Sequence, residues 1–267
     1  MTEALEDKVV EVIERPSGQR VRFEPSPRWV RVAFAGTVVA DSKRAMLLFE
    51  PKRLPVYHFP VEDVRMELLE PSGRTESSPV KGEVTYLSLS VGDRTSEDAG
   101  WVCTNPPGEL SQIKDHVGFY WNKVDSWFEE DDEVFVHARD PYHRVDVLNS
   151  SRHIRVELDG VTVAETRRPR LLFETGLPTR YYIPKMDVRM DLLEPTDQAT
   201  RCPYKGEAVY WSAHVNGKRF TDIVWSYPYP IPECPKIESL LAFFNERADI
   251  YVDGELQPHP KTPWSDW

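Results

Sequence analysis

RWVRVAFAGTVVADSKRAMLLFE, from Arg28 to Glu50, returns as RHIRVELDGVTVAETRRPRLLFE from Arg152 to Glu174. The offset is 124 residues, and it holds outward from this stretch. EDVRMELLEPS from Glu62 falls on MDVRMDLLEPT from Met186, and SPVKGEVTYLSLSV from Ser78 falls on CPYKGEAVYWSAHV from Cys202. No gap is needed between Arg28 and Asp125, and about a third of the pairs are identical. Self-similarity of that length marks a tandem duplication, and its period is far longer than that of a solenoid repeat. Each copy is long enough to own a core. The predicted division is a first, degenerate module over residues 15–142 and a second over residues 143–267.

Within a copy the hydrophobic period is mostly two. Ile154, Val156 and Leu158 alternate with Arg155, Glu157 and Asp159, and Asp159-Gly160 then reads as a hairpin turn. Ala208 to Val215 reads as another strand, with Asn216-Gly217 as its turn. Val188, Met190 and Leu192 predict a strand closed by Glu194-Pro195. After the proline-rich YPYPIPECP the spacing changes. Ile237, Leu240, Leu241 and Phe244, like Ile113, Val117, Tyr120 and Val124 over residues 112–128, predict a helix. Each module is therefore expected to be mainly β, of α+β type, with antiparallel strands and one C-terminal helix. Leu5, Val9 and Ile13 suggest a further short amphipathic helix. The endings HARDPY and HPKTPW recur, so Tyr142 and Trp264 are expected to anchor them.

Composition narrows the function classes. The chain has 33 basic and 44 acidic residues, a formal charge of −11. Such a chain repels phosphate backbones, so no nucleic-acid partner is expected. No stretch approaches the roughly 18 to 20 apolar residues of a membrane helix, and the acidic N-terminus does not read as a secretory signal. Cys103, Cys202 and Cys234 form no CxxC pair, so neither a disulfide framework nor a zinc knuckle is expected. A cytoplasmic protein with reduced thiols, without metal or cofactor, is the reading.

Phosphate loops, nucleophile elbows and HExxH are absent, and the seven histidines show no ligand spacing. Cys202 beside Lys205 is a weak nucleophile candidate, and Asp187 with Asp191 a weak metal pair. The charged positions kept in both copies are Arg44/Arg168, Glu50/Glu174, Arg65/Arg189, Lys81/Lys205 and Glu83/Glu207. They read either as ion pairs that set register or as groups converging on a pocket. Copy two concentrates aromatics around them, where copy one has Val80 for Tyr204, Leu87 for Trp211 and Ser90 for His214. Lys205 and Glu207, two residues apart, would share a strand face.

The stretches VADSKRAMLLFE, VAETRRPRLLFE, YYIPKMDVRMDLLEP, CPYKGEAVYWSAHV and WSYPYPIPECPKIESLLAFF resemble the domain of unknown function numbered 427, sometimes labelled nucleotidyltransferase-like, in a tandem form. The resemblance implies β-tent-like modules, in which two antiparallel sheets meet along a ridge and leave a groove. The Gly-Ser and spaced acidic residues of nucleotidyl transfer are not found. The leading expectation is a small-ligand-binding module whose groove is lined by Arg168, Glu174, Tyr182, Tyr204, Lys205, Glu207, Trp211 and Trp225. Aromatics would stack a small anionic or aromatic ligand, and Lys205 and Arg168 would pair its charge. The alternatives are a group-transfer enzyme at the same groove and a scaffold for a protein partner.

Overall fold

The computed structural model describes residues 21–51, 53–78, 81–106 and 108–265. The expected helix over Leu5, Val9 and Ile13 lies outside them. The described chain divides into two compact units, the first ending at Asp140 and the second beginning at Pro141.

The first unit contains β1 (Arg22–Pro25), β2 (Val30–Phe34), β3 (Thr37–Ser42), β4 (Met46–Phe49), β5 (Val56–Pro60), β6 (Leu69–Ser78), β7 (Gly82–Val91), β8 (Arg94–Thr104), β9 (His116–Phe119), β10 (Ser126–Glu129) and β11 (Asp132–Val134). They form a seven-stranded sheet of order β1-β4-β5-β9-β8-β7-β6 and a four-stranded sheet of order β11-β10-β2-β3, antiparallel throughout. The second unit contains β12 (Val145–Asn149), β13 (Ile154–Leu158), β14 (Val161–Thr166), β15 (Arg170–Glu174), β16 (Arg180–Tyr182), β17 (Leu193–Cys202), β18 (Gly206–Val215), β19 (Lys218–Ser226), β20 (Leu241–Phe243), β21 (Asp249–Val252) and β22 (Glu255–Leu256). Here β12-β15-β16 and β17-β18-β19-β20 are linked by the Ile183–Leu241 bridge, so the same seven-strand order returns, and β14-β13-β21-β22 repeats the smaller sheet. The register irregularities also recur at the 124-residue offset, at Val32/Ala33 and Val156/Glu157, Pro71/Thr75 and Pro195/Ala199, and Leu87/Leu89 and Trp211/Ala213.

The mainly β reading and the two tandem modules are borne out. The hairpin turns are as read, with Asp159 and Gly160 at φ 50° and 76° and Asn216 and Gly217 at 50° and 74°. The C-terminal helix is a correction. All helical turns among the described residues are 3-10, the longest being Gly108–Asp115, kinked at Leu110. Of the apolar residues at helical spacing, Ile113 falls on that 3-10 segment and Val117 on β9, which slots between β5 and β8. Pairing on both edges satisfies its backbone groups and overrides a weak helical period. The expected strand over residues 187–192 is likewise two 3-10 turns, Lys185–Asp187 and Met190–Leu192, and β17 runs on through Pro195.

Strand alternation sorts the core of the first module. Leu47, Phe49, Tyr57, Phe59, Leu89, Val117 and Phe119 face the smaller sheet and pack on Val30, Val32 and Trp127. Leu48, Val84, Tyr86, Trp101 and Cys103 face the other way and pack under Leu110 and Ile113. The larger sheet thus has two covered faces, and the space between the sheets is filled by side chains. Of the two endings, Trp264 packs on the second core with the Arg180 guanidinium 5.6 Å from its ring centre. Tyr142 is 57% exposed and anchors nothing by burial.

Gly82 and Gly206 open β7 and β18 with φ of 76° and 107°. A Cβ on Gly82 would collide with the Asn105 carbonyl oxygen, and one on Gly206 would meet the Tyr229 oxygen at 3.1 Å. Gly206→Ala should cost about 1–2 kcal/mol, the penalty of a left-handed L-residue, and Gly82→Ala clearly more, because backbone must move. Urea melts followed by tryptophan fluorescence check the order; equal midpoints would refute it.

Candidate functional site

The alternation that points Leu172 away from the smaller sheet also points Glu174 that way, two residues on. Tyr182 on β16 and Trp225 on β19 stand on the same outer face as their counterparts His58 and Trp101. Lys205 reaches it from the turn between β17 and β18. That turn is held by the left-handed Gly206, by the Ile231 N–H donating to the Lys205 carbonyl at 3.1 Å, and by the Gly206–Pro230 bridge. The proline-rich segment therefore clamps the backbone that carries the lysine.

Lys205 Nζ donates to Glu174 Oε1 at 2.6 Å and Oε2 at 2.5 Å. Both side chains are buried, exposed by 10% and 5%. His143 Nε2 donates to Glu174 Oε1 at 3.0 Å, so the carboxylate is shared. The His143 ring stacks on Tyr204, with centres 4.1 Å apart and planes at 21°, and Tyr204 is half-buried. Deeper in, Trp225 Nε1–H donates to the Tyr182 hydroxyl at 3.1 Å. The first module keeps the pair, with Lys81 Nζ 3.1 Å from Glu50 Oε2. Its sequence has Gln19 and Val80 where the second has His143 and Tyr204.

Burial alone would push the Glu174 carboxyl up; Lys205 and the hydrogen bonds from His143 and Lys205 outweigh it and hold it at about 2. Burial disfavours the Lys205 ammonium too, but Cys202, Glu174 and Tyr182 outweigh it and raise its pKa above the ordinary value. Burial raises the Cys202 thiol against the pull of Lys205, which argues against the nucleophile expectation.

Five of the expected site residues come together, namely Glu174, Tyr182, Tyr204, Lys205 and Trp225. Three do not. Glu207 is exposed and accepts from Arg201 Nε at 2.8 Å, because the left-handed Gly206 breaks the extended run that would have set it beside Lys205. Trp211 stands on the opposite face of the sheet, where Leu87 lines the intersheet core of the first module. Arg168 lies beyond the far end of β15 and grips Asp187 through Nε and Nη2 at 3.0 and 2.9 Å, in a shallow depression with His153, Glu165, Thr166 and Arg167. Thr166 donates to the same Asp187, and Ser42, Arg44 and Asp63 repeat the latch in the first module. Asp191 pairs with Arg189, and no group of three metal-ligating side chains occurs among the described residues. His143 was missed. It sits at the module boundary with no spacing signal, and only the Gln19 at its offset marks it as particular to copy two.

Comparison with known families finds that the one described as "Domain of unknown function (DUF427)" matches residues 22–130 and again residues 146–254. A search of curated proteins finds no match.

Removing one partner of a buried ion pair strands the other charge, so Lys205→Met should destabilise the second module by about 3–5 kcal/mol. Lys205→Met/Glu174→Leu should regain much of that. Glu174 titrates at about 2 when folded against an ordinary 4.5. Its contribution is whole above pH 4.5 and is lost as pH falls toward 2, on the order of 3 kcal/mol. Urea midpoints across that window should fall in the native chain, and the gap to Lys205→Met should close. A gap independent of pH would contradict the assignment.

Proposed function

Because the chain belongs to the DUF427 family, whose description names no activity, we propose from the geometry that the second module binds a small planar ligand at the Tyr204–His143 stack. The Lys205–Glu174 pair forms the polar floor of this site. One observation carries the reading: a desolvated ion pair with a shared carboxylate lies directly beneath a half-buried aromatic stack. Strongly perturbed charges beside accessible aromatic faces are what ligand sites use. Tyr229 supports it, being 88% exposed on the loop whose carbonyl abuts Gly206, next to Lys205.

In this reading the aromatic rings of Tyr204 and Tyr229 take the flat part of the ligand. An acidic group on the ligand competes with Glu174 for the ammonium, while His143 Nε2–H is a second donor. Arg168, Glu207 and Trp211 take no part. Nothing among the described residues favours the group-transfer alternative. Three free cysteines fit a reducing, cytoplasmic setting, and no helix among the described residues is long and apolar enough to cross a membrane.

The test is a thermal-shift panel on the full chain with benzoate, nicotinate, indole-3-carboxylate and adenosine monophosphate. At least one should raise the melting temperature of the second module. Tyr204→Ala should then weaken that binding roughly 2- to 12-fold, the worth of one aromatic stack. A panel without a shift, or a shift untouched by Tyr204→Ala, would overturn the proposal.

A further inference from the structure

The outer face of the first module has an unmatched donor and an unmatched acceptor side by side. His58 and Trp101 are 1% and 6% exposed, and neither His58 Nε2 nor Trp101 Nε1 has a hydrogen-bond partner. Their rings meet edge to face, with centres 5.7 Å apart and planes at 80°. The matching pair in the second module, Tyr182 and Trp225, meets at 6.2 Å and 87°. The next ring agrees as well: Trp101 and Tyr120 lie 4.6 Å apart at 51°, Trp225 and Phe244 4.5 Å apart at 48°. The two indoles keep the same ring neighbours but not the same seat: Trp101 lies down on Gly118, where a Cβ would run into its ring, whereas Trp225 stands over Ala242. In the second module the indole N–H ends on the Tyr182 hydroxyl. In the first an imidazole replaces the phenol, and it is too short to carry an oxygen to that point.

The chemistry of the two free atoms is complementary. His58 Nδ1 lies 3.2 Å from the Val56 carbonyl, which can only accept, so Nδ1 carries the proton and Nε2 presents its lone pair. Burial, the largest influence on His58, holds its pKa down at about 3, so the ring stays neutral. Trp101 Nε1–H can only donate. A group that satisfies both must accept one hydrogen bond and donate another. A carboxylate or carbonyl cannot donate to His58, and an ammonium cannot accept from Trp101. A neutral hydroxyl does both, and a buried water needs two to four such partners.

We infer that the first module holds a neutral hydroxyl group between Trp101 Nε1 and His58 Nε2, taking the role of indole partner that the Tyr182 hydroxyl has in the second. The group is supplied by a trapped water or by a small alcohol or phenol. The Lys81–Glu50 ion pair lies nearby, its ammonium 6.0 Å from the Trp101 ring centre, and makes this wall polar rather than apolar.

The experiment uses the full chain labelled with nitrogen-15, the Trp101 indole signal being assigned by its loss in Trp101→Phe. A rotating-frame cross-peak from that indole proton to water identifies a solvent occupant. A shift of the same signal on adding phenol identifies room for an organic hydroxyl. His58→Tyr should abolish either response and raise the melting temperature of the first module by several degrees. His58→Phe, which removes the acceptor without supplying a hydroxyl, should weaken the response and lower the melting temperature. An indole proton that sees neither water nor phenol overturns the inference. So does a response that survives unchanged in both His58 variants, because the occupant would then not be held by His58.

Discussion

A glutamate and a lysine that the ladder keeps far apart meet in both modules. Glu50 and Glu174 stand at the end of the second strand of the seven-strand order, and Lys81 and Lys205 in the turn joining the sixth and seventh. In a flat sheet that gap would be roughly 20 Å, at just under 5 Å per strand. The pair closes only because the sheet coils in the sense that strand twist dictates, bringing the long hairpin over the outer face. Taking both charges out of water is costly, and the contact survives because the clamped turn offers the ammonium no wetter place. The outer face owes its shape to this clasp, and the aromatic rings on it sit where the coil folds them inward.

Around the same clasp the two modules have diverged in chemistry rather than in architecture. The second surrounds it with hydroxyls, a histidine and a half-open tyrosine. The first surrounds it with an imidazole held neutral and a sulfhydryl, Cys103, where the second has Tyr227. Strand order and bulge positions recur at the 124-residue offset, while the side chains around the clasp differ. That contrast is what gives the candidate sites their content, since a fold alone does not settle function.

Much of the architecture was legible because it is local. The duplication, the strands with period two and the Asp-Gly and Asn-Gly turns are written in neighbouring residues. The helix over residues 112–128 was misread because three or four apolar residues at helical spacing cannot reveal that a sheet waits to receive them on both edges. The site was half legible for a related reason. Glu174 and Lys205 stood out as kept charges, but their being each other's partners depends on the coil of the sheet, which no spacing encodes. Glu207 and Trp211 were assigned by simple alternation. A left-handed glycine moved the first to solvent, and Trp211 lies on the face that packs against the smaller sheet. His143 had only the Gln19 at its offset to mark it, since its role comes from a stacking contact with a residue 61 positions away.

The preserved register makes the protein its own experimental control. From Arg152 to Phe243 the positions of the second module have counterparts 124 residues earlier, on matching strands and on the same side of the same bulges. A substitution can be placed at one address or at its twin, within one polypeptide, in one tube, at one concentration and one pH. Effects common to the twins report on the scaffold, and effects confined to one report on the chemistry particular to that copy. Separating fold from function ordinarily takes a comparison between two proteins; here a single chain contains both sides of it.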